Sequence, residues 1–308
     1  MRHKMLICCP LSTDIKPERK IMYRILFILL AALSLPSIGM AKEPCVTKDE
    51  CIEMRNWDLG VAIGWGQKTN PLRDFDDIPV FFIPTVAYYG EHWFFDNGNL
   101  GYSLTEQKYF SLNLVTSYSL DRAYFYRWDP SNIFLKRSSQ EEARLLSTNT
   151  ALSSEPDPVF NSLESRNFTM LGGAEAFIYS PLGVVRLAYT HDMFNVHQGS
   201  EAQIKWTYGW HLTRWVMDMS LVFDWKSTNV VDYYYGVRPS ENDYWSQHYH
   251  ADAGWNKGIE MTARYILTDN WDMLFAFRYT QLADEIAASP LLDQDYSSTY
   301  FIGAAYRF

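Results

Sequence analysis

The chain has 308 residues, 16% of them aromatic, with 21 Tyr and 11 Trp, yet its mean hydropathy is slightly negative at -0.23. Past residue 40 there is no apolar run of about 20 residues, which excludes a bundle of membrane-spanning helices. A net charge of -9 with no basic cluster excludes nucleic acid as a partner.

The first recognisable element is Met22-Tyr23-Arg24, the apolar run Ile25 to Leu35, and the small residues of Gly39-Met40-Ala41. A short basic start, an apolar core and small residues before a cleavage point describe a secretory signal peptide, cut after Ala41. Residues 1–21 are too long for an ordinary basic region, so Met22 is the expected start codon, with a long leader as the alternative. Cys8 and Cys9 leave with the leader. Cys45 and Cys51 enter an oxidising compartment, where they are expected to close a small disulfide loop. Cys45 follows Ala-Lys-Glu-Pro, which is not a lipid-attachment sequence, and no cysteine follows Cys51. That disfavours redox chemistry and cysteine-ligated metal. The expected organisation is a leader over 1–41, an N-terminal periplasmic segment over 42–55 and one domain over 56–308.

From residue 57 onward apolar and polar residues alternate, the period of a strand with one apolar face. Trp57, Leu59, Val61, Ile63 and Trp65 form the first stripe. Trp215, Met217, Met219, Leu221, Phe223 and Trp225 form another, and Trp271, Met273, Phe275, Phe277 and Tyr279 a third. Aromatics mark both ends of each stripe. At ~3.3 Å per residue and a tilt near ~40°, each spans a lipid-facing band of about 25 Å between two aromatic girdles. A soluble β-sandwich would not need that aromatic placement. The fold class is therefore all-β, a transmembrane antiparallel barrel of about 12 strands, with ten as the alternative. Strands are expected at 57–66, 78–89, 92–104, 108–119, 167–179, 182–192, 200–210, 213–226, 229–237, 252–267, 270–282 and 297–308. Pro79 and Pro84 make 78–89 a poor central strand.

The last strand carries Tyr300, Ile302, Ala304, Tyr306 and Phe308 on one face. In an outer-membrane barrel that row faces lipid and supplies the signal read by the barrel assembly machinery. Even parity then makes 226–228 and 268–270 periplasmic turns, and 67–77, 238–250 and 283–296 extracellular loops. The polar stretch 121–166 falls on the periplasmic side, unusually long for that position.

The inward register carries Asp58, Glu175, Arg186, Glu201, Lys205, Asp218, Asp224, Asp232, Glu260, Arg264, Asp272, Arg278 and Arg307. In lipid such charges cost about 2–4 kcal/mol each for Arg or Lys at the midplane, so a lumen is their place. Interleaved signs suit a salt-bridged plug as well as a narrow pore. No catalytic constellation stands out. His248 and His250 lack a third ligand at metal spacing. Asp284 and Glu285 on a strand would point to opposite faces. No G-x-S-x-G element is present. No cofactor is expected.

The segments Asp232-Tyr233-Tyr234-Tyr235-Gly236-Val237 and Leu282-Ala283-Asp284-Glu285-Ile286, with Ser289-Pro290-Leu291-Leu292 and the terminal Tyr306-Arg307-Phe308, resemble the MltA-interacting protein (MipA/OmpV) family of Gram-negative outer-membrane proteins. Ile78-Pro79-Val80, Asp96-Asn97-Gly98 and Leu100-Gly101-Tyr102 fit the same pattern, and the resemblance covers about 56–308. It implies a non-enzymatic barrel acting as a scaffold that links a lytic transglycosylase to a murein synthase, with a porin-like channel for small solutes as the alternative. On the scaffold reading, 121–166 and the disulfide loop are the expected docking elements.

Overall fold

The computed structural model describes residues 55–127, 129–133 and 163–308. The leader, Cys45, Cys51 and 134–162 lie outside the described residues.

Twelve antiparallel strands close into a barrel: β1 (Trp57–Lys68), β2 (Ile78–Tyr89), β3 (Trp93–Asp96), β4 (Asn99–Glu106), β5 (Phe110–Tyr118), β6 (Met170–Ser180), β7 (Gly183–Asp192), β8 (Ser200–Leu212), β9 (Trp215–Lys226), β10 (Gly254–Ile266), β11 (Trp271–Gln281) and β12 (Tyr296–Arg307). Each strand pairs with its sequence neighbours. The seam is β1 on β12, in register from Gly60 opposite Arg307 to Lys68 opposite Thr299. Closure satisfies backbone polar groups that lipid could not.

The count of twelve matches the expectation, but two of the strands differ. The segment expected as one strand over 92–104 is a hairpin, β3 and β4, folded at Asn97 (φ 50°) and Gly98 (φ 89°). Two successive positive φ values make the tight turn that Asn-Gly favours. The expected strand 229–237 is instead a helix, α3 (Thr228–Tyr235). Four further short helices lie in loops: α1 (Arg122–Phe125), α2 (Pro130–Ile133), α4 (Asp243–His248) and α5 (Asp284–Ala287). Asp284 and Glu285 therefore belong to a helical turn, not a strand, and Asp232 lies exposed on α3 rather than in the lumen.

These two changes reverse the side assigned to every connection between β4 and α3. At one rim the chain turns within two to four residues, at 90–92, 107–109, 181–182, 213–214 and 267–270. The remaining connections lie on the other side and, apart from the tight turn at 97–98, are longer. Short turns mark the periplasmic rim and long loops the extracellular one. Residues 119–133 and 163–169 hence lie at the extracellular rim, and 226–228 is no periplasmic turn. The stretch 121–166 cannot present its described ends to the periplasm.

β2 runs its full expected length despite Pro79 and Pro84. Among the described residues its far edge is paired only from Ala87 to Tyr89, by the short β3. An edge without a ladder tolerates a residue that cannot donate. A register shift between Ile63 and Gly66 marks a bulge on the β1 side.

The outer surface carries the apolar stripes, with Trp57 at 59%, Ile63 at 63% and Trp65 at 55% exposure. Such a belt around a whole molecule requires lipid as its solvent. Trp57 with Tyr88, Trp215 with Tyr265 and Trp271 with Tyr306 pack at the periplasmic rim, and Trp65 with Tyr300 near the other. Inside, Ala62, Val80, Ile83, Leu274 and Phe301 form an apolar cluster along the seam. The Phe301 ring lies over Gly64 and Gly303, where an added Cβ would come within 2.7 Å and 2.6 Å of it. Those glycines let a phenyl ring lie flat on the seam wall. Phe301→Ala should therefore cost about 3–5 kcal/mol, read as a lower urea midpoint in lipid vesicles; an unchanged midpoint would show that the ring does not hold the seam.

Candidate functional site

The extracellular mouth is covered by a folded cap. In α3 the residues Val230, Val231, Tyr234 and Tyr235 are all fully buried, the spacing of one helical face. They pack with Leu72 from the β1–β2 loop and with Leu282, Ala283, Ile286, Leu291 and Leu292 from the β11–β12 loop. Tyr124 and Phe125 of α1 join from a third loop. Counting the loop that carries α3, four loops thus share one small core, built largely from the two segments that carry the sequence resemblance.

Buried polar groups tie these loops together. Arg166 and Glu241 form a fully buried ion pair at 2.7 Å. Glu241 also accepts backbone hydrogen bonds from Glu164 (2.8 Å) and Arg238 (2.9 Å), and Arg166 donates to the Gly236 carbonyl (3.2 Å). Asp121 accepts from the Tyr235 hydroxyl (2.6 Å) and from Lys226 Nζ (2.5 Å), with Glu201 3.8 Å from the same ammonium. Burial first, and then the Asp121 charge, push the Tyr235 phenol well above its ordinary range, so it stays a neutral donor. His197 accepts from the Gly199 N–H at Nδ1 (3.0 Å), which leaves its proton on Nε2, and its ring lies 5.9 Å and 5.8 Å from those of Tyr233 and Tyr234. Burial lowers its pKa, against the opposing pull of Asp192, and keeps the ring neutral.

Beneath the cap lies a cavity of about 420 Å³. Its lining runs from Asp121, Lys226 and Lys68 under the cap to Glu106, Ser111 and Tyr179 near the periplasmic rim. Tyr124, Ser131 and Asn132 of the cap line its upper end, and its wall reaches down toward the periplasmic ends of β4, β5 and β6. The inward charges form a lattice across its wall. Arg186 pairs with Glu175 (2.7 Å) and donates to Gln203, which donates to Asp224 (2.6 Å). Lys205 (2.6 Å) and Arg278 (2.8 Å) share Glu260. Lower down, Arg264 (3.1 Å) and Arg307 (3.4 Å) share Asp272, and Asp218 sits against Gly209. Glu201 accepts from Ser119 (2.9 Å) at the cap junction.

Other sequence candidates are scattered. His248 stacks on Tyr244 at 3.9 Å in α4, apart from the lumen. Among the described residues no group of three His, Cys, Asp or Glu could hold a metal ion. On β12, Tyr300, Ile302, Ala304 and Tyr306 share the outward face, with Ile302 exposed to lipid and Tyr306 packed on Phe308. Sequence reading missed Asp121, Arg166 and Glu241, because pairs so far apart along the chain leave no local pattern.

A lipid-belted, capped twelve-strand barrel with short turns on one rim is a bacterial outer-membrane protein. The family model described as MltA-interacting protein MipA matches residues 59–308, so the chain belongs to that family. It is 24% identical over 251 residues to the MltA-interacting protein of Escherichia coli (strain K12), covering 81% of this chain and 90% of the relative. It is 26% identical over 157 residues to the outer membrane protein OmpV of Vibrio cholerae serotype O1, covering 47% and 57%. Among solved structures, the NanC porin matches at 8% identity with a TM-score of 0.42, covering 82% of this chain and all of that one.

Since removing one partner of a buried pair strands a charge, Glu241→Ala should loosen the cap by about 3–5 kcal/mol. Hydrogen exchange at the Val230–Tyr235 amides would report it. The double change Arg166→Met with Glu241→Leu should recover most of the loss; full protection in the single variant would remove the pair from the cap's support.

Proposed function

We propose that this protein is a non-enzymatic anchor at the outer membrane that docks a murein-degrading lytic transglycosylase, and with it a murein synthase, at its periplasmic face. The observation that carries the reading is the cap: a lumen shut by an apolar core and crossed by ion pairs suits a rigid mount better than a passage. The name of the Escherichia coli relative supports a transglycosylase as partner. The docking surface is the periplasmic rim, chiefly 107–109 and 267–270, together with the 42–55 segment and a Cys45–Cys51 disulfide loop. The described ends of the 121–166 stretch, at the opposite rim, take no part. The outward row Tyr300, Ile302, Ala304, Tyr306 and Phe308 meets lipid and serves as the signal to the barrel assembly machinery.

Surface-immobilised barrel should bind a purified lytic transglycosylase. Replacing 107–109 and 267–270 with Gly-Ser turns, or Cys45 and Cys51 with serine, should weaken binding at least tenfold, whereas deleting 134–162 should not. Binding lost only on deletion of 134–162 would refute the docking face.

A narrow solute channel is the second reading, favoured by the 420 Å³ cavity and the charged groups on its wall. It requires the cap to move. Vesicles carrying the intact barrel that swell in small sugars as fast as porin vesicles would establish it in place of the anchor.

A further inference from the structure

We propose that the lumen wall formed by β3, β4 and β5 binds a linear polyamine, with ammonium groups at Asn99 and Asn113 and the methylene chain between them on Phe94. The inference is independent of the anchor reading, which assigns the lumen no ligand.

Charge sets the class of ligand. The cavity lining carries seven carboxylates against five lysine and arginine side chains. The cations come from β1 and from β7 to β11, and carboxylates meet most of them there. Arg186 pairs with Glu175, Lys226 with Asp121 and Glu201, and Lys205 and Arg278 with Glu260. Strands β2 to β6 contain no lysine or arginine at all. Lys108, in the turn after β4, lies over the Tyr109 ring and does not line the cavity. Asp96 and Glu106 therefore line a wall that has no cation of its own. Such a wall concentrates positively charged solutes.

Two buried oxygens set where the ligand is held. Asn113 is only 6% exposed and lines the cavity. Its amide nitrogen donates to Glu175 (3.2 Å), while no donor among the described residues meets its carbonyl oxygen. Asn99, also on the lining, donates to the Asp96 carbonyl (3.1 Å) and likewise leaves its side-chain oxygen buried and unmet. An acceptor holds each amide nitrogen, so the oxygen is the atom left for a ligand. A buried acceptor without a donor is costly, and a primary ammonium brings three donors and no acceptor.

Strand register sets the shape. Asp96 stands opposite Asn99, and Asn113 stands opposite Ser103. Asn99 and Ser103 are four residues apart on β4, which separates the two acceptors by roughly 13 Å along the wall. Between them is Gly101, where an added Cβ would come within 2.0 Å of the Phe94 ring. That ring therefore lies flat on the wall between the two acceptors, with Tyr89 stacked on it at 6.3 Å. Acceptor, ring and acceptor match ammonium, methylene chain and ammonium. The ring faces also attract the flanking cations. Glu106, opposite Ser111 at the periplasmic end of β4, adds charge for a further ammonium. Joining the ammonium groups in one chain makes the second contact intramolecular, which favours a polyamine over separate monoamines. A bare metal ion would leave the rings unused.

The test uses the full-length barrel in nonionic detergent, with spermidine as probe. Butylamine controls for a single ammonium, and magnesium chloride for charge alone. Titration calorimetry should show saturable spermidine binding, with butylamine and magnesium each at least tenfold weaker. Asn113→Leu removes one buried acceptor and Asn99→Leu the other, and each should weaken spermidine at least tenfold. Glu106→Gln, at an exposed position, should weaken it several-fold. Urea midpoints measured alongside separate a lost contact from a lost fold. Unchanged spermidine affinity in a folded Asn113→Leu or Asn99→Leu barrel would overturn the site. So would magnesium or butylamine binding as tightly as spermidine, or the absence of saturable spermidine binding.

Discussion

The wall of this barrel follows from the demand that backbone donors and acceptors pair with one another rather than face hydrocarbon, a demand the short β3 meets only in part along β2. Closing β1 on β12 meets that demand, and closure creates an inside. The inside must then be filled or wet. Near the seam it is filled by Phe301 over its two glycines; across the far wall it is wet and charged. The pleat alternates these environments along every strand, so one residue faces lipid and the next the lattice of Glu175, Arg186 and Glu260. The belt and the lattice are two faces of one closure.

The cap solves a different problem. A barrel needs nothing above its rim, yet here three loops build a core of their own around α3 and bury an Arg–Glu pair within it. Buried pairs are weak contributors to stability, but they specify one arrangement of the loops that supply them. The Asp121, Lys226 and Tyr235 cluster joins that arrangement to the top of β9. The cap is thereby fixed to the wall rather than resting on it, which suits a permanently shut mouth.

How much was legible in the sequence depended on the range of the interaction. Period-two stripes ending in Trp and Tyr, as at Trp215 to Trp225, announced lipid-facing strands, because the bilayer acts on each strand separately. Asn97-Gly98 carried a local signal that the long strand reading overrode, and the two positive φ values show the turn chemistry was decisive. Val230, Val231, Tyr234 and Tyr235 likewise repeat with helical spacing after Ser227-Thr228 and before Gly236. A run of aromatics suggested strand because aromatics favour strands elsewhere in this chain. Those two errors cancelled in the strand count but not in topology, and they moved the described ends of 121–166 to the wrong rim. Lys68 gave no sign at all: its hydrogen bond to Asn132 and its contact with Tyr124 join segments far apart in the chain.

The central claim is that the lumen is closed to the outside and open to the periplasm. It is tested most directly by thiol labelling of Ser117→Cys, a near-isosteric change on the cavity wall below the cap. Asp243→Cys on α4 serves as the outward control. In intact cells a bulky, membrane-impermeant maleimide should modify Asp243→Cys and leave Ser117→Cys untouched. Once the reagent is admitted to the periplasm, Ser117→Cys should react. Modification of Ser117→Cys in intact cells at the rate of the outward control would contradict the account.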